Sequence, residues 1–485
     1  MKYLLAFSFF CIISFQWLGA QVFQTSAAID NADLGYTFVM GRIENRTFVI
    51  SRKASRFKTQ YYLTAFDALG LGQIWQKEMA LGKDIEQILK VWTKDNKLHL
   101  LAHQYANGRS EIRYIQYGID GQIIATKSLF QIEANNGLDS KKSIQLSADY
   151  SKVAIATNWN RQSNWLGVYD LEKDYLLWSS ESKIAIEKDL HVDIQEVCIT
   201  NFGDLYLTLR DKQSEYYIYH IKAEEGAPLI YTLGVQQIAL SEPKMAYNQQ
   251  QNSLFIIFFL QQRGNYAYGI QYLRLTQDGT LFRHKEIFKE DFVLKTTNKK
   301  KAARKGIYAI EIKDIQFDGE EVWIVGEQFA QSTIHNNNSI HDPLFYPSYA
   351  PLRTFNNNDY EYWHGALVLM KYKNDKVNYS HIIPKEQTII NDNGLLGSYF
   401  LYKGDKALNF IYSKIVRHKW HIEAYSIDKA TIIKNTVLPM PGGMAHIAAQ
   451  SATIYDESNM YLLGVDGKDI HLLKFNLQKV NQPQE

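Results

Sequence analysis

The feature that most constrains this chain is a repeated grouping of short apolar runs. Runs of about five to nine residues, rich in β-branched and aromatic side chains, alternate with polar turns, and sustained helical periodicity is almost absent. Four runs make a group. In the clearest one, 85–93, 97–103, 111–117 and 122–128, the last two runs are joined by Gly118-Ile119-Asp120-Gly121, an Asp-Gly turn that permits the positive φ of a tight hairpin. The same grammar recurs over 35–76, 143–178, 193–231, 244–284, 310–383 and 398–437, giving seven full groups. An eighth has three runs, 446–454, 459–465 and 469–476, and lacks a fourth.

Four antiparallel strands repeated about every 45–60 residues predict an all-β fold, a single β-propeller. Eight blades fit the spacing, and seven if one group is misparsed. The missing strand of the last blade is expected from 22–29, which would sew the beginning of the chain to its end and leave no open sheet edge at the seam. A closed ring of this kind is expected to be a monomer. The composition agrees with a sheet protein, with 13% aromatic residues including 32 Tyr.

Residues 1–20 have the pattern of a secretory signal peptide. Lys2 is the positive start, 3–17 is uncharged and too short to span a bilayer, and Leu18-Gly19-Ala20 offers a small residue before a cut at Gln21. Residues 21–485 are then the propeller domain, expected to be periplasmic, cell-surface or extracellular, with no transmembrane segment. Cys11 falls in the leader, so Cys198 stands alone in the remainder and no intramolecular disulfide can form. Its apolar setting, Val197-Cys198-Ile199, predicts a buried hydrophobe. A net charge of +2 from 53 basic and 51 acidic residues excludes a nucleic-acid binder that works by neutralising phosphates.

Thr64-Ala65-Phe66-Asp67-Ala68 followed by Gly72-Gln73-Ile74-Trp75 resembles the quinoprotein-type blade repeat, and Gly167-Val168-Tyr169-Asp170 with Leu177-Trp178 is a weaker copy. Ser147-Ala148-Asp149 looks like the Ser-x-Asp turn of many blades, the WD-repeat type included. The layout as a whole is similar to exported β-propeller proteins of unknown function. That resemblance implies a fold and an export route, and carries no activity.

The longest irregular stretch, 328–363, interrupts the sixth group, and long loops of this kind are often functional. Its aromatic and polar residues make Tyr346, Tyr349, Tyr360, Tyr362 and Trp363, with the adjoining His364, the candidate binding residues. The same rings could instead cover apolar blade surface. His335, His341, Asp342 and His364 do not follow a metal-ligand spacing, so no metal is implied. The basic run 299–305 is expected to be a solvated loop between blades five and six.

Asp193, Glu196, Asp314 and Glu327 are carboxylates that could face a central channel. No nucleophile elbow or phosphate loop is present, and no catalytic residue or cofactor is assigned. The chain therefore reads as a non-enzymatic binding or assembly module, its partner an envelope protein or a glycan. The alternatives are a hydrolase using channel-facing carboxylates on a carbohydrate polymer, and a quinoprotein-like cofactor domain.

Overall fold

The computed structural model describes residues 23–477 except 31, 33–35, 55–58, 82–84, 107, 134–140, 160–162, 180–192, 212–214, 225–227, 234–238, 263, 298, 335–358, 391–395, 405–406, 417–418, 429–430, 442–443 and 457. The expected leader, 1–20, lies outside the described residues.

Eight separate antiparallel sheets form the molecule, and the innermost strands of neighbouring blades touch around a central channel. Blade one, for example, runs outward as Phe38–Ile43, Arg46–Ala54, Thr59–Asp67 and Gln73–Glu78. The eighth blade is built from His446–Asp456, Asn459–Asp466 and Asp469–Asn476, and its outermost strand is Phe23–Ala28. Phe23 pairs with Phe475 and Thr25 with Leu473, so the expected ring closure is present. The two Phe rings meet edge to face at 4.7 Å.

Why the strands read as nearly continuous apolar runs follows from this layout. A blade has neighbours on both faces, so its middle strands are covered on both sides. Ser253–Gln262 is buried at eight successive positions. The core is accordingly divided into eight apolar clusters, one at each blade junction. Each large side chain fully buried there contributes about 1.5–3 kcal/mol. The smaller Cys198 is buried in the cluster between blades four and five, and burial pushes its thiol up to about 12.

Blades five and six depart from the plain four-strand plan. Two short helices, α1 (Glu290–Leu294) and α2 (Lys300–Ala303), join them. The basic run 299–305 is thus partly helical rather than a plain loop, and it anchors through Ala303 and Ile307, both buried in the cluster between the two blades. In blade six the second and third strands are prolonged to Glu321–Ile334 and Asp359–Lys373. Where an irregular loop was expected, 329–334 pairs with 359–364 in register. An added strand, Gln387–Ile390, lies along 361–364, so a small three-stranded platform extends blade six.

Candidate functional site

A β-strand alternates its side chains between two faces, so an innermost strand offers every second residue to the channel. In this chain that rule is broken in a recurring place. The register slips by one residue in the innermost strands of blades one, two, four and six, between Val39 and Gly41, Ile88 and Lys90, Ile194 and Glu196, and Ile312 and Asp314. A β-bulge of this type re-aims side chains and is enriched beside binding and active sites. Here it places Lys90, Glu196 and Asp314 on the wall of one cavity, while Ile194, Val197, Ile310 and Ile312 stay buried between blades. In blade one the corresponding residue is Gly41, whose φ of 132° belongs to glycine and whose missing Cβ leaves room for Thr93 of blade two.

The cavity, about 730 Å³, falls within the usual range for a ligand site. It lies at the end of the channel where the blade-to-blade connections enter, and its walls come from blades two to eight. Four basic side chains (Lys90, Arg210, Lys244, Lys313) face four acidic ones (Glu196, Glu242, Glu311, Asp314), for a balance of zero. Four of the eight are tied to one another in two pairs. Lys244 Nζ is 3.1 Å from Glu196, Lys313 Nζ donates to Glu311 at 2.7 Å, and the Tyr399 hydroxyl donates to Asp314 at 2.6 Å. Burial raises the Asp314 carboxyl above its ordinary range, against the opposing hydrogen bond from Tyr399. Lys90 reaches cavity water yet is ringed by protein, and this desolvation, helped by Lys244, holds it below the usual lysine range.

One rim of the cavity continues into a buried polar junction beneath the platform. Glu327 and Lys385 are each fully buried and 2.5 Å apart, and the Ser398 hydroxyl donates to the other Glu327 oxygen at 2.6 Å. His364 Nδ1 lies 3.4 Å from Glu327. Burial would raise Glu327, but Lys385 and then His364 overcome it and keep the carboxyl well below the ordinary range. Burial in turn keeps His364 neutral, with its pKa below the usual value. Gly397 packs so closely on the His364 ring that any Cβ would collide with it. The connection from blade six to blade seven also runs far across the ring. Ile389 and Leu396 are buried in the same cluster as Val39 of blade one and Ala448 of blade eight.

The candidate residues from the sequence divide on this geometry. Tyr346 and Tyr349 lie outside the described residues. Tyr360 and Trp363 are half-buried on the platform, whereas Tyr362 and His364 are turned inward at 3% and 2% exposure. That burial removes Tyr362 and His364 from a contact surface; Tyr360 shares their face of the strand nearer its end, and Trp363 lies on the opposite face. Among the carboxylates, Glu196 and Asp314 do line the channel. Glu327 does not, being enclosed in the junction, and the side chain of Asp193 lies outside the described residues. What the sequence did not reveal was the cavity's amide-bearing wall and the three bulges that give it charge, since a bulge leaves no mark in composition.

Among the described residues no group of three or more His, Cys, Asp or Glu is placed to hold a metal, and no helix is long and apolar enough to cross a membrane. No family model and no curated protein matches the chain. Solved structures similar to it include the Chaetomium thermophilum Sqt1 bound to the N-terminus of the ribosomal protein L10, at 10% identity over 93% of this chain and 99% of that one, TM-score 0.47. The WD40 domain of SCAP from fission yeast matches at 9% identity over 95% of this chain and all of that one, TM-score 0.41. Polysaccharide lyase Uly1 matches at 11% identity over 82% and 92%, TM-score 0.41. The propeller fold itself is fixed by the eight four-stranded blades of this chain.

Proposed function

We propose that this is an exported, non-catalytic binding module that takes its ligand on the cavity face of the ring. The observation that carries the proposal is convergence. The bulged wall strands, the cavity and the blade-six platform share one face, and a buried junction joins platform to rim through Ser398, which belongs to both. Rigid scaffolds bearing functional loops at one end are a common basis for binding. Export rests on residues 1–20. A cut after Ala20 leaves only Gln21 and Val22 ahead of the closing strand at Phe23, so processing would spare the ring.

Ile334 pairs directly with Asp359, so 335–358 can be replaced by a short turn without unpairing the platform. Retention of envelope components by the full chain should fall in that variant and in Lys90→Glu. It should be unchanged in Lys127→Ala and Lys403→Ala, whose ammonium groups bind Asp174 and Asp318 on the opposite face. Losses that map to the opposite face would refute the proposal. Recovery of a mature chain beginning at Met1 would refute export by this signal.

A second reading, a propeller hydrolase, is favoured by one observation. Asp314 is a cavity carboxyl raised by burial, as a general acid needs to be, with Glu196 and Glu311 in the same wall. Turnover of a polysaccharide that disappears in Asp314→Asn would support it.

A further inference from the structure

The cavity wall carries five side-chain amides, Gln145, Gln195, Gln261, Asn265 and Gln450, and none is engaged by another group among the described residues. Each amide offers both a donor and an acceptor. The charged groups beside them are spent differently. Glu196 is held by Lys244, Glu311 by Lys313 and Asp314 by the Tyr399 hydroxyl, and the Arg210 guanidinium lies 5.8 Å from the centre of the Tyr216 ring. An ion entering the cavity would have to compete with these contacts except at Lys90, and the wall as a whole offers it no net charge. Ile194 and Ile312 are largely buried in the blade junctions, and the apolar surface left to the cavity comes from residues such as Leu240, Phe400 and Leu401 on its blade-five and blade-seven sides.

We propose that the cavity binds a neutral, polyhydroxylated ligand, a segment of uncharged glycan, through these unspent amides. Hydroxyl groups both donate and accept, so they match carboxamides without displacing the ion pairs. While the cavity holds water the amides are solvated, and a ligand that excludes the water must replace those bonds. This requirement selects for hydroxyls against apolar groups. The inference rests on the binding-module reading and names the ligand class for it.

The test is calorimetric titration of the full mature chain with short neutral oligomers of glucose, xylose and mannose. Oligogalacturonate and a mixed peptide pool serve as the other arms. At least one neutral oligomer should saturate the protein, with affinity unchanged between about 0.05 and 0.5 M salt. Gln195→Leu combined with Gln261→Leu should weaken that binding about tenfold. Its thermal unfolding should match the parent, because neither amide holds another described group, and Lys127→Ala should bind as the parent does.

Binding of oligogalacturonate alone, weakened by salt and lost in Lys90→Gln, would overturn the neutral-glycan assignment while leaving the cavity a binding site. Saturation by peptide alone would overturn it likewise. If no neutral oligomer saturates the protein, the inference fails, and the envelope-retention experiment decides the module reading separately.

Discussion

The two faces of the ring are made by the same strands, yet they are held together in different ways. On the face opposite the cavity, turns of one blade are clasped to the next by polar contacts at or near the surface. Arg46 donates to the Ile119 carbonyl at 3.0 Å, Lys94 to the Asp149 carbonyl at 2.9 Å, Gln251 to the Gly319 carbonyl at 3.3 Å, and Lys403 to the Phe317 carbonyl at 3.0 Å. On the cavity face, blades six and seven meet through one enclosed cluster, Glu327, Lys385, His364 and Ser398. The first arrangement is many weak and replaceable ties. The second is one polar junction in which every member depends on the others, because a charge left alone in a buried site is costly.

The largest effect that distinguishes the faces is expected at that junction. Lys385→Met or Glu327→Ala should each destabilise the fold by about 3–5 kcal/mol in denaturant unfolding, since each strands a buried partner. The double variant Glu327→Leu with Lys385→Met should recover most of that loss. A double variant no better than the worse single would show that the pair is required for its chemistry rather than for charge balance.

Acid should also act on the cavity face first. His364 is neutral in the folded protein with a depressed pKa, whereas the unfolded chain takes up the proton near about 6.5. Stability should therefore fall as pH drops below that point, by up to about 1.4 kcal/mol per pH unit, until the folded histidine itself titrates. The groups facing it are Glu327, Lys385 and Lys313. Glu327 works in a lower window. Its folded pKa is depressed, so its contribution is intact above about pH 4.3 and is lost only as pH falls through the folded value. His364→Asn should flatten the slope between about pH 6.5 and 4.5. An unchanged slope would assign it to His99 or His381, which burial also lowers.

The smallest effects belong to the clasps. Lys127→Ala or Lys403→Ala should cost less than about 1 kcal/mol each, since both ion pairs are solvent-exposed. A clasp variant as damaging as a junction variant would erase the contrast between the faces.

The contrast also explains which parts were legible in the sequence. Quartets of alternating and apolar runs, and the lone strand at 23–28, follow directly from burial on two faces and from the need to cover an edge. The platform was hidden because Gln331 and Ser332 give no strand signal beside the Asn-rich stretch that follows. Gln387–Ile390 is only four residues long. Glu327 and Lys385 did leave a trace, each being a charge set in an apolar strand or beside one, Val325-Gly326-Glu327 and Ile383-Pro384-Lys385. Their pairing could not be read, because 58 residues separate them and they meet only where blade six folds back on itself and adds Gln387–Ile390 beside its third strand. The bulges at Lys90, Glu196 and Asp314 are one-residue slips in hydrogen-bond register, a property of the partner strand as much as of the sequence that slips.

The most direct measurement is a lysine footprint, with amine labelling of the folded protein read by mass spectrometry with and without saturating ligand. Lys90 has a lowered pKa and faces cavity water, so it should label readily in the free protein and be protected when the ligand is bound. Lys127 and Lys403, on the clasped face, should label equally in both states. Protection of Lys127 or Lys403 with Lys90 unchanged would contradict the assignment of the cavity face as the place where this protein binds.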